Sequence, residues 1–129
     1  MSRLEHVNIT VPNPKATAQT LIDLFDWHIR WEGEAMDGAG YTVHVGNDDD
    51  YLALYSGSGP LEAMDEDKSY HLRGGLNHIG IVVDDLEAAE KRVKDHGYKP
   101  GSHYDYEPGR RFYFDDHDGI EFEVICYDA

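Results

Sequence analysis

The chain has 129 residues, 40% of them hydrophobic, and its 26 acidic against 11 basic residues give a formal net charge of −15. This size predicts one domain or two small half-domains, and the charge argues against nucleic acid and anionic membranes as partners because it repels both. The lack of a long apolar run and of a secretory signal, together with a single cysteine, Cys126, predicts a cytoplasmic protein without a transmembrane helix.

The first half of the chain predicts a strand, a helix and three more strands. Residues 6–11 alternate polar with β-branched side chains, as in a half-buried strand. Asn13 and Pro14 then suit the cap and the first position of a helix. Further strands are predicted near residues 28–34, 41–45 and 51–55.

The second half repeats this order. Residues 78–83 form another strand-like segment, Asp84 and Asp85 can cap a second helix, and Gly97 is expected to end it. Strands are again predicted near residues 98–104, 110–115 and 120–126. The repeated β-α-β-β-β order predicts an α+β fold built from two similar modules.

We expect one domain over residues 1–129. It consists of a module over 1–56 and a module over 76–129. The connection between them, residues 57–75, is rich in glycine and in charge, which is typical of a linker.

Two histidines occupy the same place in the two modules. His6 and His78 begin the first strands, and side-chain alternation turns both away from the helices. The same alternation turns Glu121 and Glu123 of the last strand to that side. A carboxylate there is costly unless it is paired, and a metal ion would pair it. Because two imidazoles and one carboxylate form a facial triad with open positions, we predict that His6, His78 and Glu123 bind one metal ion.

Each of these three residues, taken alone, is more often structural than ligating. Their matching positions in a repeated module favour the metal. His44 is left undecided because its strand shows no clear apolar alternation. The remaining histidines are expected to be ordinary surface residues: His28, His71, His96, His103 and His117.

Three segments, 4–11, 77–89 and 112–124, resemble the vicinal-oxygen-chelate superfamily. This superfamily includes glyoxalase I, extradiol ring-cleaving dioxygenases, fosfomycin-modifying thiol transferases, methylmalonyl-CoA epimerase and bleomycin-binding proteins. The most specific part is the Asp-His-Asp-Gly turn at 116–119, which leads into the strand with Glu123. The resemblance implies two βαβββ modules that form an open, incomplete barrel around a metal cleft, and it favours a homodimer.

The resemblance also implies the metal ligands. His6 and His78 match the first-strand ligands, and Glu123 matches the last-strand ligand of the second module. The corresponding place in the first module is Ala53, which cannot ligate, although a shift of two residues would place a tyrosine there. The His-His-Glu set resembles that of extradiol dioxygenases and fosfomycin transferases more than the four-ligand set of glyoxalase I.

Two further residues are expected to act in catalysis. Tyr113 matches a position at which the thiol transferases carry a tyrosine that contacts substrate, and an ordinary aromatic residue of the sheet is the alternative. Glu121 is expected at the rim of the cleft, where it could act as a general base or simply be solvated.

These features predict a divalent-metal-dependent enzyme, dioxygenase-like or lyase/isomerase-like, for a small substrate that chelates the metal through vicinal oxygens. The metal is Fe, Mn, Zn, Ni or Co, among which the sequence does not choose. One alternative is a metal-free binding protein of the bleomycin-resistance type. Another is a fosfomycin-type thiol transferase, for which the candidate cationic residues are Lys99, Arg110 and Arg111.

Overall fold

The structure is a computed structural model that describes residues 1–35, 38, 40–63 and 68–127. The chain forms two compact units, Met1–Leu61 and Glu62–Ala129. Their boundary falls in the predicted linker, of which residues 64–67 lie outside the described part of the chain. Among the described residues, no helix has the length and hydropathy needed to cross a membrane.

The first unit has the predicted β-α-β-β-β order. Its elements are β1 (His6–Thr10), α1 (Pro14–Phe25), β2 (His28–Glu34), β3 (Tyr41–Gly46) and β4 (Tyr51–Ser56). The sheet order is β1-β4-β3-β2, with β1 parallel to β4 and the other neighbours antiparallel. The first and last strands, from which ligands are expected, are therefore neighbours.

The second unit repeats this arrangement after a short 3₁₀ turn, Lys68–His71. Its elements are β5 (Ile79–Val82), α2 (Leu86–Asp95), β6 (Gly101–Tyr106), β7 (Gly109–Asp115) and β8 (Glu121–Tyr127). The sheet order is β5-β8-β7-β6, again with the first and last strands parallel. The two units confirm the predicted α+β fold of two similar modules, and neither four-stranded sheet closes into a barrel.

Both helices begin at the caps that the sequence predicts. Asn13 Oδ1 accepts a hydrogen bond from the Ala16 N–H at 3.2 Å, and Asp85 Oδ1 accepts one from the Ala88 N–H at 3.0 Å. Each cap satisfies a donor that the first helical turn leaves unpaired. Gly97 follows α2 with φ 91°, a left-handed conformation that glycine adopts without strain.

One face of each sheet packs on the helix of its own unit. α1 contacts β3 and β4, and α2 contacts β7 and β8. The apolar residues buried in this way include Val11, Leu21, Leu24, Val43, Val45, Leu52 and Leu54 in the first unit, and Ile81, Val93, Phe112, Phe114, Phe122 and Val124 in the second. The opposite face of each sheet carries the candidate site residues.

One predicted strand is displaced. β6 begins at Gly101, whereas the sequence predicts a strand over 98–104. The Tyr98 N–H donates to the Val93 carbonyl at 3.1 Å, beyond the end of α2, and the Tyr98 ring stacks on Phe114 at 5.8 Å. The helix end and the core therefore hold this aromatic residue, so its preference for strands is overridden by packing.

Candidate functional site

His78 and Glu123 lie together in the second unit. The parallel ladder of β5 and β8 pairs Gly80 with Glu123, and His78 stands two residues before Gly80. His78 Nε2 is 3.0 Å from Glu123 Oε2, and the Glu123 side chain is 12% exposed. Two of the three expected ligands are therefore adjacent within one unit.

Glu123 has two further partners. Arg111 Nη1 donates to Glu123 Oε1 at 2.9 Å, and the Arg111 side chain is 9% exposed. Burial, reinforced by a hydrogen bond to Glu123, raises the pKa of Tyr113 to about 12. The Tyr113 phenol therefore stays protonated near neutral pH, so it can donate a hydrogen bond but cannot serve as a base.

Both ring nitrogens of His78 face carboxylates. Nε2 faces Glu123, and Nδ1 lies 3.4 Å from Glu121 Oε1. The Tyr70 hydroxyl donates to the same Glu121 oxygen at 2.5 Å and lies 3.3 Å from His78 Nδ1. A carboxylate at Nδ1 is the contact that commonly aims Nε2 of a histidine at a metal.

His6 has a similar contact in the first unit. Glu5 Oε1 lies 2.8 Å from His6 Nδ1, and the Tyr51 hydroxyl donates to Glu5 at 3.3 Å. The hydrogen bond with His6, followed by that from Tyr51, lowers the pKa of the Glu5 carboxyl. His6, like His78, thus has a glutamate at Nδ1 and leaves Nε2 for another partner.

Aromatic rings surround His6 on this face of the sheet. The Tyr51 ring centroid lies 4.9 Å from that of His6 and 4.5 Å from that of His44, and the two imidazole centroids are 6.5 Å apart. Trp31 covers His44 at 5.1 Å. Burial, followed by the positive charges of His6 and Arg30, lowers the pKa of His44. The rings of His6, Trp31, His44 and Tyr51 thus form one aromatic cluster on this face of the sheet.

The first unit has alanine at the place equivalent to Glu123. Asn8 pairs with Ala53 in the first unit, as Gly80 pairs with Glu123 in the second. This register excludes both neighbouring tyrosines, Tyr51 and Tyr55, from that place. The first unit therefore has no carboxylate at the position where its counterpart carries one.

Sequence reasoning gave no role to Tyr70 and His44, and it considered Arg111 only as a cationic residue of a fosfomycin-type site. The available signal lay in their neighbours, since His44 stands between two valines and Arg111 precedes Phe112, and the structure buries these apolar residues. Tyr70 lies in the 3₁₀ turn within the predicted linker, and no pattern in that segment marked it.

A cleft of about 380 Å³ opens on the second unit beside this cluster. Its walls include Gly80, Val82, Pro108, Arg111, Glu123 and Ile125. The volume is in the range of small-molecule sites. The charged pair of Arg111 and Glu123 therefore borders a space that a small ligand could enter.

A second group of potential ligands lies in the turn between β7 and β8. Asp116, His117 and Asp118 each offer one atom, and these atoms lie within 4.8 Å of one another. Asp116 is buried, and burial raises its pKa. Its Oδ1 accepts hydrogen bonds from the N–H groups of Asp118 and Ile120 at 2.8 and 2.9 Å. These bonds hold the turn, which is a structural role for Asp116.

Comparisons with known proteins agree with this architecture. The family model described as Glyoxalase/Bleomycin resistance protein/Dioxygenase superfamily matches residues 3–124. A glyoxylase/bleomycin resistance protein/dioxygenase domain from Frankia sp. EAN1pec has 20% identity and a TM-score of 0.81, and the alignment covers 99% of each chain. A search of curated proteins gave no significant match.

Two similar solved structures are fosfomycin resistance proteins called FosX. A mutant of the Listeria monocytogenes protein, complexed with Mn(II) and 1S,2S-dihydroxypropylphosphonic acid, has 18% identity and a TM-score of 0.71, covering 97% of this chain and 92% of that one. The protein from Mesorhizobium loti has 22% identity and a TM-score of 0.69, covering 97% and 91%. At these identities the likeness shows a shared fold.

The family model spans nearly the whole chain, and both units have the β-α-β-β-β order that the resemblance implies. The chain therefore belongs to the Glyoxalase/Bleomycin resistance protein/Dioxygenase superfamily.

Proposed function

We propose that the chain is a divalent-metal-dependent enzyme whose small substrate binds the metal through vicinal oxygens. The observation that carries this proposal is the 3.0 Å approach of His78 Nε2 to Glu123, with Glu121 behind the ring. His6, His78 and Glu123 would hold one ion of Fe, Mn, Zn, Ni or Co. The two units would then act as one domain over residues 1–129.

The donor set fits such an ion. Two imidazoles and one carboxylate leave several positions open on an octahedral metal. Glu5 and Glu121 each contact Nδ1 of a proposed histidine ligand, which supports coordination through Nε2. When bound, the metal would polarise substrate oxygens as a Lewis acid.

The residues around the ion would have separate tasks. Tyr113, protonated near neutral pH, would turn its one O–H from Glu123 to negative charge that develops on the substrate. Arg111 would hold the Glu123 carboxylate in place through Oε1. Glu121 would orient His78, and a general-base role for Glu121 is the alternative that a pH–rate profile of Glu121→Gln would test.

Fosfomycin chemistry is a second candidate within the same class. A FosX mutant with this fold binds Mn(II) and a dihydroxypropylphosphonic acid whose two hydroxyls are on neighbouring carbons. Such a ligand has the vicinal oxygens that the proposal requires. A screen with catechols, 2-oxo hemithioacetals, and fosfomycin with and without glutathione would separate dioxygenase, isomerase and transferase activities.

A metal-free binding protein is the candidate from a different class. It is favoured by the Arg111–Glu123 pair at 2.9 Å, which compensates the carboxylate charge without a metal, and by the cleft beside this pair. In that case the cleft would sequester a small molecule. For either function we expect a cytoplasmic homodimer, and light scattering would measure its mass.

Elemental analysis of protein purified without added metal distinguishes these functions. We expect about one metal per chain in the parent protein and none in His78→Ala, because loss of a ligand strongly weakens such sites. His28→Ala, which removes an exposed histidine, is the matched control and should keep its metal. A parent protein that cannot be loaded with any of the five metals would support the binding protein instead.

A further inference from the structure

The two units differ at the place where the second one carries Glu123. Ala53 occupies that place in the first unit, on the same face as His6, and offers no donor atom. In each sheet, the antiparallel neighbour of the last strand carries a residue directly opposite this place. Tyr113 of β7 lies opposite Glu123 in the second unit, and His44 of β3 lies opposite Ala53 in the first. An imidazole therefore stands beside the missing carboxylate.

His44 is close enough to His6 to share an ion with it. Their ring centroids are 6.5 Å apart and the rings are tilted by only 14°. Because a ligating nitrogen lies about 2.1 Å from its metal, two imidazoles on one ion have centroids within roughly 6.5 Å of each other. The observed spacing is at the upper end of that range, which two imidazoles reach when they bind opposite sides of the ion.

The small side chain of Ala53 also favours this arrangement. Residues directly opposite on neighbouring antiparallel strands have their Cβ atoms about 4.5–5.5 Å apart. A long side chain at Ala53 would compete with His44 for the space above the sheet, whereas alanine leaves it to the imidazole. Ala53 is 2% exposed, so larger neighbours cover it.

We propose that His44 is a second metal ligand from the first unit, beside His6, in place of the carboxylate that Ala53 lacks. This inference rests on the proposed function, in which His6, His78 and Glu123 bind the ion. Four protein ligands leave two positions on an octahedral ion, which suits a substrate with two neighbouring oxygens. Three imidazoles shift the preference from Mn towards Zn, Ni or Fe.

The competing role for His44 is aromatic packing against Trp31 and Tyr51. His44→Phe separates the two roles, because phenylalanine keeps the ring contacts and removes the nitrogen. His28→Phe is the matched control, since it makes the same change at an exposed histidine.

The test uses the full-length chain, stripped of metal and titrated with Co(II), whose visible absorption reports binding. We expect His44→Phe to weaken Co(II) binding at least about tenfold, and His28→Phe to bind like the parent protein. Pulsed electron paramagnetic resonance of the Mn(II)-loaded parent should count three nitrogen ligands, and two in His44→Phe.

The outcomes separate this inference from the function on which it rests. Parental affinity in His44→Phe, or two nitrogen ligands in the parent, would overturn the role of His44 and leave the metal enzyme standing. A parent protein that binds no metal would overturn both. The nitrogen count in the parent needs no variant, so it decides the question even if His44→Phe does not fold.

Discussion

At the scale of single residues, three side chains of the second unit contact the Glu123 carboxylate. His78 Nε2 lies 3.0 Å from Glu123 Oε2, and Arg111 Nη1 lies 2.9 Å from Oε1. The Tyr113 hydroxyl also donates a hydrogen bond to this carboxylate. The charge of this nearly buried carboxylate is compensated without any bound ion. Consequently, the metal-free protein should already hold Glu123 close to the position from which it would ligate.

Arg111→Gln should strongly destabilise the metal-free protein, because it leaves Glu123 without its buried cation. Removing one partner of a buried ion pair costs about 3–5 kcal/mol, so we expect a loss of about 3 kcal/mol in the free energy of unfolding. Urea denaturation measures this loss.

Arg110→Gln is the control for this variant. Arg110 pairs with Glu87 on the surface, where both side chains are well exposed, and solvent screening leaves such pairs with little effect on stability. Similar losses of unfolding free energy in the two variants would show that the buried Arg111–Glu123 pair stabilises the fold no more than a surface pair does.

Tyr113→Phe should flatten the dependence of stability on alkaline pH. The folded protein raises the pKa of Tyr113 from 10.0 to about 12, so its protonated phenol stabilises the fold. This contribution is complete below pH 10 and is lost as the pH rises towards 12. Urea denaturation between pH 8 and pH 11, compared for the two proteins, measures the effect. Parallel curves for parent and variant would rule out a raised pKa at Tyr113.

At the scale of secondary structure elements, sequence patterns predicted the fold well because each element has a strong local signal. The caps Asn13 and Asp85, the alternation of the strands and the stop at Gly97 all appear in the structure. The displaced start of β6 has a tertiary cause, the hold on Tyr98 by the end of α2 and by Phe114. Contacts between distant residues have no local signal.

The proximity of His78 and Glu123 was predictable in the same way, whereas metal binding by His6, His78 and Glu123 stays a prediction. Strand alternation placed His6, His78 and Glu123 on the faces away from the helices, and repetition made the two histidines equivalent. Alternation does not predict which side chains contact Glu123, because Arg111 reaches it from the neighbouring strand β7. Nor does the sequence indicate that Tyr70, within the predicted linker, contacts His78.

Asp85→Ala should destabilise the second unit by about 1 kcal/mol, because it removes the acceptor for the Ala88 N–H at the start of α2. Asp84→Ala makes the same change one residue earlier, outside the cap, and should have little effect. Chemical denaturation of the two variants gives the comparison. An equal loss in both would mean that general charge, and not the cap, determines the effect.

At the scale of the whole molecule, two units with the same order of elements share one chain that carries a net charge of −15. Repetition explains how equivalent histidines arise, and the difference between Ala53 and Glu123 shows that the two units have diverged. The large negative charge favours a cation as ligand more than an anionic substrate.

Salt should stabilise the protein, because it screens repulsion among the acidic residues. Between about 10 mM and 500 mM NaCl we expect Tm to rise by roughly 3–5 °C for each kcal/mol of repulsion that is relieved. Scanning calorimetry of metal-free protein measures the shift, and a sucrose series controls for effects of excluded solute. A Tm that falls with salt would mean that attractive ion pairs outweigh the net repulsion.

Anomalous diffraction from crystals loaded with Mn(II) or Co(II) tests the proposed metal site most directly. We expect one strong peak about 2.0–2.3 Å from ligand atoms of His6, His78 and Glu123. A peak at the turn of Asp116 and Asp118 instead, or no peak beside His78 in fully loaded crystals, would contradict the proposed site.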